Sequence, residues 1–120
     1  MILADTSVWV DHFRHTEGLL QDLLASGHVV THPFVIGELS CGNLRHRDQI
    51  LSLLQALPQA RLAAHEEVLH LVNSRTLYGK GLGWVDAHIL ASSLLSHTGL
   101  WTKDRRLAAV AASLHIAEKE

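Results

Sequence analysis

Four acidic side chains occupy positions from which they could form one site. Asp5 ends the first apolar run of the chain, and Asp104 closely follows a second short apolar run. Glu38 and Asp86 lie inside segments with helical patterning. Carboxylates gathered without cysteine partners are hard oxygen ligands, which suit Mg²⁺ or Mn²⁺, and these ions support phosphate chemistry. The four residues therefore indicate an enzyme that cleaves phosphodiester bonds.

Each of these acids also has a structural explanation. Asp104 precedes a helical segment and is a good N-cap, and Asp86 in a first helical turn is favoured by the helix macrodipole. Asp5 could stabilise a strand-to-helix turn. Glu38 lies about a turn and a half into its helix and is too deep to cap it. Taken alone, it would be interpreted as part of a solvated helix face. Four such residues, two of them at strand ends, favour a shared site.

The elements that must position these acids follow a regular alternation of short apolar strands and longer helices. The predicted strands are residues 2–4, 28–31, 60–63, 99–102 and 114–117. The predicted helices are residues 7–14 with Thr6 or Ser7 as the cap, then 17–25, 33–42, 47–57, 65–77, 84–96 and 105–113, with a glycine-rich loop at 78–83. This alternation predicts an α/β fold in which parallel crossovers cover both faces of a sheet.

An open parallel sheet binds ligands beyond the carboxyl ends of its strands, near the point where the strand order reverses. Asp5 and Asp104 follow the first and fourth predicted strands. If these two strands are neighbours, the two carboxylates meet at one edge of the sheet.

Composition describes one ordinary globular domain covering residues 1–120. The chain has 48% hydrophobic and 18% charged residues, which is typical of a folded protein rather than a disordered one. Its single cysteine, Cys41, excludes an internal disulfide and a thiolate zinc site. No apolar run approaches the ~20 residues that cross a bilayer, and no leader pattern opens the chain. We expect a cytoplasmic protein that does not contact a membrane.

The charge balance disfavours a module that coats RNA by general electrostatics. The formal net charge is −2 and the isoelectric point is near 6.5, whereas such modules are usually basic. A nuclease is compatible with this balance, because its acidic centre requires cations before it tolerates phosphate. Local basic clusters remain, and they comprise Arg45, His46 and Arg47, then Arg75 and Lys80, then Lys103, Arg105 and Arg106.

The acids and their neighbours resemble the motifs of the PIN-domain family. The matching segments are Asp-Thr-Ser at 5–7, Glu-Leu at 38–39, Val-Asp-Ala at 85–87 and Thr-Lys-Asp at 102–104. The length and the opening Leu-Ala-Asp-Thr-Ser-Val-Trp-Val-Asp are similar to VapC-type toxins of bacterial toxin–antitoxin pairs. The resemblance covers the whole chain in order, and the ordered set is more specific than any one motif. Ten histidines depart from the pattern, because the family motif uses none of them.

The resemblance implies an endoribonuclease that requires Mg²⁺ or Mn²⁺ and has a three-layer α/β/α, Rossmann-like fold with a central parallel sheet of four to five short strands. It implies four catalytic, metal-binding acids, namely Asp5, Glu38, Asp86 and Asp104. It also implies that Thr6 and Ser7 support Asp5 and that Thr102 helps to orient the last carboxylate. The implied partners are an RNA substrate, a cognate antitoxin that blocks the acidic cleft and, commonly, a second copy in a homodimer.

Two other classes of function remain open on the residues alone. An aspartyl-phosphate-forming phosphotransferase or phosphatase would use Asp5 as its nucleophile, although Thr6 and Ser7 stand where that class often has a second acid. A non-catalytic RNA- or protein-interaction module would use the acids only as helix caps. A zinc site at His12 and His15, three residues apart, is not predicted, because no third ligand is evident.

Overall fold

In the described residues, 1–118, three short parallel strands are surrounded by seven helices in a computed structural model. The elements follow in the order β1 (Ile2–Ala4), α1 (Thr6–Arg14), α2 (Gly18–Ala25), β2 (Val29–Val30), α3 (Pro33–Ser40), α4 (Arg47–Ala56), α5 (His65–Ser74), α6 (Trp84–Ser96), β3 (Gly99–Trp101) and α7 (Arg105–Ser113). Helices connect each strand to the next, and the parallel sheet flanked by helices confirms the predicted three-layer α/β/α class. Within residues 1–118, no helix combines the length and apolar character needed to cross a membrane.

The first strand lies in the middle of the sheet. The strand order is β2-β1-β3, and Leu3 pairs with Val30 on one side and with Leu100 on the other. All three residues of β1 are buried, as expected for a parallel strand that is covered on both faces. The pairing of β1 with β3 confirms that the first and fourth predicted strands are neighbours, as a shared site for Asp5 and Asp104 requires.

The sheet is narrower than the four to five predicted strands. The segments predicted as strands at 60–63 and 114–117 contribute only isolated bridges in the described residues, Thr31 with Gln59 and Leu100 with Ala117. The chain leaves the sheet after Ala60, because the N–H of Arg61 donates to Ser96 Oγ at 2.8 Å instead of to a neighbouring strand. Hydrophobic patterning cannot predict that a distant serine hydroxyl takes the hydrogen bond that a neighbouring strand would otherwise accept.

Helix boundaries agree with the sequence most closely at the C-terminal end of the chain. The bounds of α6 and α7 are those predicted, and α3 begins at Pro33 as predicted. The prediction that Thr6 or Ser7 caps α1 is wrong. Asp5 caps this helix and accepts a hydrogen bond from the N–H of Thr6. The predicted helix 65–77 ends three residues early, at Ser74, because Thr76 adopts a positive φ of 54°.

The core is built on the central strand, so its energetics can be tested there. Leu3 is fully buried, whereas Leu62 is 58% exposed. We expect Leu3→Ala to lower the free energy of unfolding by about 2–5 kcal/mol, because it removes buried methyl groups and leaves a cavity. Leu62→Ala should change it by less than about 0.5 kcal/mol. Urea denaturation checks both, and equal losses would contradict a core centred on β1.

Candidate active site

The Asp5 carboxylate is the best anchored of the four predicted acids. It is buried at the carboxyl end of β1. Its Oδ1 accepts a hydrogen bond from the N–H of Thr6 at 2.5 Å. Its Oδ2 accepts hydrogen bonds from Ser7 Oγ at 3.1 Å and from Thr102 Oγ1 at 2.5 Å. Three donors, from the start of α1 and from the residue after β3, therefore fix the orientation of this carboxylate.

Asp104 is joined to Asp5 through the Thr102 hydroxyl. The N–H of Asp104 donates to Thr102 Oγ1 at 3.1 Å, while the same hydroxyl donates to Asp5. The N–H of Lys103 donates to Ser7 Oγ at 2.9 Å, which ties the two strand ends together a second time. The pairing of β1 with β3 thus brings the predicted acids Asp5 and Asp104 and the predicted supporting hydroxyls of Ser7 and Thr102 into one network.

Asp86 faces the same network from the first turn of α6. Its Oδ2 accepts a hydrogen bond from the N–H of Gly83 at 3.0 Å. The pKa of the Asp86 carboxyl is raised above its ordinary value of 3.8, chiefly by burial and further by the negative charges of Asp5 and Asp104, while the Gly83 hydrogen bond opposes the rise. Repulsion of this kind requires that the three carboxylates lie near one another.

Glu38 joins the group from α3. Thr6 Oγ1 donates to Glu38 Oε1 at 2.7 Å, so Thr6 contacts Asp5 with its backbone and Glu38 with its side chain. This contact spans 32 residues of sequence and depends on the packing of α1 against α3. All four predicted acids are therefore linked directly or electrostatically. Ser7 supports Asp5 as predicted. The other two hydroxyls differ from the prediction, because that of Thr6 donates to Glu38 and that of Thr102 orients the carboxylate of Asp5 rather than that of Asp104.

Helix capping and local hydrogen bonds occupy only one oxygen of Asp104, of Asp86 and of Glu38 in the described residues. Asp104 Oδ1 accepts the N–H groups of Arg106 and Leu107, at 2.9 and 3.0 Å, and caps α7. Within residues 1–118, the other oxygens of Asp104, Asp86 and Glu38 accept no hydrogen bond, and none of the four acids forms an ion pair with a lysine, arginine or histidine. Each of these three side chains thus has a structural oxygen and a second oxygen that remains available to a ligand.

The donor set fits a hard divalent cation of the Mg²⁺ type. All the candidate ligands are oxygens, which such ions prefer. In the part of the chain that the structure describes, no three His, Cys, Asp or Glu side chains converge closely enough to enclose an ion by themselves. A bound Mg²⁺ or Mn²⁺ would therefore make few direct carboxylate contacts, and water would complete its shell and link it to the other acids.

The histidines that the family motif leaves unexplained have structural roles at two positions. His32 is fully buried, its Nδ1 accepts the N–H of Phe34 at 2.9 Å, and its Nε2 pairs with Ser92 Oγ at 2.9 Å. Burial lowers the pKa of His32 to about 4, with His88 adding to the effect, so the ring is neutral near pH 7. His12 Nδ1 accepts the N–H of Glu17 at 3.0 Å, so this nitrogen serves the turn between α1 and α2.

An ion-pair cluster beside the site was missed by sequence reasoning. Lys103 Nζ lies 2.9 Å from Asp11 and 3.1 Å from Glu17, and it holds α1 to the segment after β3. The hydrogen bond from Lys103 is the main cause of the lowered pKa of the Asp11 carboxyl. Lys103 lies 92 positions after Asp11 and 86 positions after Glu17, so no local sequence pattern connects these residues, and only the fold reveals the cluster.

A groove of about 790 Å³ opens from the Thr6–Glu38 pair. Its lining includes apolar side chains, Val10, Phe13, Leu39, Leu44 and Ile50, together with polar and cationic ones, Arg14, Asn43, Arg45 and His46. Part of one basic cluster noted in the sequence, Arg45 and His46, therefore lies beside the acids. The groove offers apolar surface and positive charge next to the carboxylates.

Comparisons with known proteins identify the family and the fold of this chain. The chain matches the family model for the PIN domain over residues 2–113. It is 46% identical over 121 residues to proteins named Ribonuclease VapC32 from two strains of Mycobacterium tuberculosis, CDC 1551 / Oshkosh and ATCC 25618 / H37Rv, with 100% of this chain and 98% of each relative covered. The crystal structure of PAE2754 from Pyrobaculum aerophilum is similar in fold, with a TM-score of 0.60 and 18% identity over 90% of this chain and 77% of that one.

The raised pKa of Asp86 predicts a pH-dependent stability difference. Between the ordinary value of 3.8 and the raised pKa, the folded protein binds a proton that the unfolded chain has lost, so ionisation of Asp86 at higher pH costs stability. In chelator at pH 7, Asp86→Asn should raise the melting temperature, and the gain should shrink as the pH falls toward 3.8. The amide oxygen can still accept the Gly83 hydrogen bond.

Asp22→Asn is the matched control, because Asp22 is an exposed residue of α2. It should show no comparable gain in differential scanning calorimetry. A melting temperature of Asp86→Asn at or below that of the unsubstituted protein at pH 7 would contradict repulsion among the carboxylates.

Proposed function

Since the chain belongs to the PIN-domain family, we propose that it is a Mg²⁺- or Mn²⁺-dependent endoribonuclease of the VapC type. We propose Asp5, Glu38, Asp86 and Asp104 as its catalytic and metal-binding acids. The proposal is carried by the hydrogen-bond network in which Thr6 joins Asp5 to Glu38 and Thr102 joins Asp5 to Asp104. The raised pKa of Asp86, caused chiefly by burial and further by Asp5 and Asp104, agrees with this clustering. Carboxylates gathered in this way favour binding of a cation.

The chain's own residues prepare the site for a cation and a phosphate. Ser7 and Thr102 hold the Asp5 carboxylate in one orientation, and Thr6 holds Glu38. Positive charge beside Asp5 and Asp104 favours the ionised form of Asp86. At a pH low enough for Asp86 to be protonated, cation binding is therefore expected to release its proton. When bound, the ion supplies a water of lowered pKa and neutralises charge on the phosphate.

The groove beside Glu38 is a suitable path for the RNA strand. Arg14 and Arg45 form no ion pair within residues 1–118, so their charge is available to backbone phosphates. Apolar side chains such as Phe13, which is 36% exposed, offer surface to bases. The strand would then enter the acidic site past the Thr6–Glu38 pair.

The proposed partners follow from the same family relationship. Relatives named as VapC ribonucleases suggest that this chain acts on RNA and is held inactive by a cognate antitoxin of the VapB type. We propose that the antitoxin covers the acidic site, that two copies of the chain form a homodimer and that the protein works in the cytoplasm.

The phosphotransferase alternative is disfavoured by the neighbours of Asp5. Thr6 and Ser7 stand where that class often has a second acid. In the structure their hydroxyls donate to Glu38 and to Asp5, so they hold the proposed metal-binding acids in place instead.

Cleavage of RNA tests the proposed function. Purified protein is incubated with mixed cellular RNA in Mn²⁺, in Mg²⁺ and in chelator, beside Asp5→Asn and the exposed control Asp22→Asn. We expect discrete fragments with 5′-phosphate ends that require the ion, disappear with Asp5→Asn and persist with Asp22→Asn. The loss in Asp5→Asn should exceed about 100-fold, as for other removals of preorganised charge at a reacting centre.

Two outcomes would contradict this proposal. Fragments that persist in Asp5→Asn would place the activity elsewhere or in a contaminant. Absence of cleavage by the unsubstituted protein, together with absence of Mn²⁺ binding, would support the interaction-module alternative instead.

A further inference from the structure

We propose that Arg106 binds a backbone phosphate of the RNA beside the phosphate that is cleaved, and that Gly81 lacks a side chain so that the guanidinium can occupy this position. The inference rests on the proposed ribonuclease function and adds a substrate-binding residue to it. In the sequence, Arg106 appeared only as a member of the basic cluster of Lys103, Arg105 and Arg106 and was given no role of its own.

The position of Arg106 follows from two of the proposed catalytic segments. It is the second residue of α7, and its N–H donates to Asp104 Oδ1 at 2.9 Å. Its side chain crosses the glycine-rich loop, where a methyl group added at Gly81 would come within 2.8 Å of Cδ, 2.9 Å of Nη1 and 3.1 Å of Nε. Gly81 lies two residues before Gly83, whose N–H binds Asp86. Arg106 therefore spans the segments that carry Asp104 and Asp86.

The charge of Arg106 is available at this position. Within residues 1–118, its guanidinium forms no ion pair and donates no hydrogen bond, although Asp104 is only two residues away. Asp104 Oδ1 already accepts the backbone N–H groups of Arg106 and Leu107. The neighbouring cation Lys103 differs, because it bridges Asp11 and Glu17. Arg106 is thus an exposed cation at the rim of an acidic site.

A phosphate is the ligand that this geometry favours. A guanidinium offers a planar fork of donors that matches two phosphate oxygens. The four carboxylates repel RNA, and a chain with a net charge of −2 provides no general attraction. A cation on the rim would offset this repulsion where the strand flanks the cleaved bond. A purely structural role, in which Arg106 only covers the loop, would not affect RNA affinity.

Binding measurements on a cleavage-deficient background test the role of Arg106. The probe is a labelled RNA oligonucleotide spanning a cleavage site mapped with cellular RNA, and every protein carries Asp5→Asn. Arg106→Gln should weaken binding about tenfold and reduce the slope of log affinity against log salt concentration by about 0.7, the value for one lost contact to a single strand. Arg106→Lys should recover part of the affinity. On the otherwise unsubstituted protein, Arg106→Gln should raise KM with little change in kcat.

Two glycines of the same loop provide a matched pair. Gly79 and Gly81 have positive φ angles of 73° and 78°, so alanine strains the backbone equally at both. Only at Gly81 does the added methyl group meet Arg106, and nothing lies within 4 Å of the corresponding position at Gly79. Gly81→Ala should therefore displace the Arg106 side chain and weaken RNA binding more than Gly79→Ala does. The Gly81→Ala, Arg106→Gln double variant should bind as Arg106→Gln does.

The outcomes separate this inference from the proposed function. If the unsubstituted protein cleaves RNA but Arg106→Gln keeps its KM and salt slope, only the role of Arg106 is overturned. If Gly79→Ala weakens binding as much as Gly81→Ala, loop strain rather than displacement of Arg106 explains the loss, and the inference also fails. If the unsubstituted protein neither cleaves nor binds RNA, the proposed function and this inference fail together.

Discussion

The parallel pairing of β1 with β3 is the constraint on which the rest of the site depends. The two strands end at the same edge of the sheet, so Thr102 after β3 donates directly to Asp5 after β1. Each further contact builds on that hydrogen bond, because the Thr102 hydroxyl receives the N–H of Asp104 and Ser7 receives the N–H of Lys103. Residues nearly a hundred positions apart become neighbours through a pairing of three residues per strand.

On the proposed function, the acids combine two tasks, helix capping and cation binding, that the sequence alone presents as alternatives. Asp104 and Asp86 stabilise helix N-termini with one oxygen each, as ordinary caps do. The same hydrogen bonds orient the remaining oxygens, which are the ones proposed to bind the ion. The raised pKa of Asp86 shows that its ionised form is unfavourable in this site, and a bound cation would relieve that cost. Under the proposal, stability without the ion and readiness to bind it are therefore opposed.

Sequence patterning predicted the parts of the fold that depend on local chemistry. The bounds of α6 and α7, the start of α3 at Pro33 and the strand before Asp5 follow from periodicity and capping. The failure of the predicted strand at 60–63 could not be foreseen, because a hydrogen bond from Arg61 to the distant Ser96 hydroxyl ends that edge of the sheet. The four acids were predicted from their positions at strand ends and in helices and from their match to a family, whereas the position of Arg106 depends on the positive φ of Gly81 and on tertiary packing.

Mn²⁺ titration by calorimetry tests whether the carboxylates form one cation-binding site. We expect a site in the unsubstituted protein whose affinity falls at least about tenfold in Asp5→Asn, Asp86→Asn and Asp104→Asn, since charged ligands dominate binding of hard cations. Asp22→Asn should bind as the unsubstituted protein does. The same Mn²⁺ affinity in all of these variants, or no Mn²⁺ binding by the unsubstituted protein, would contradict a shared site.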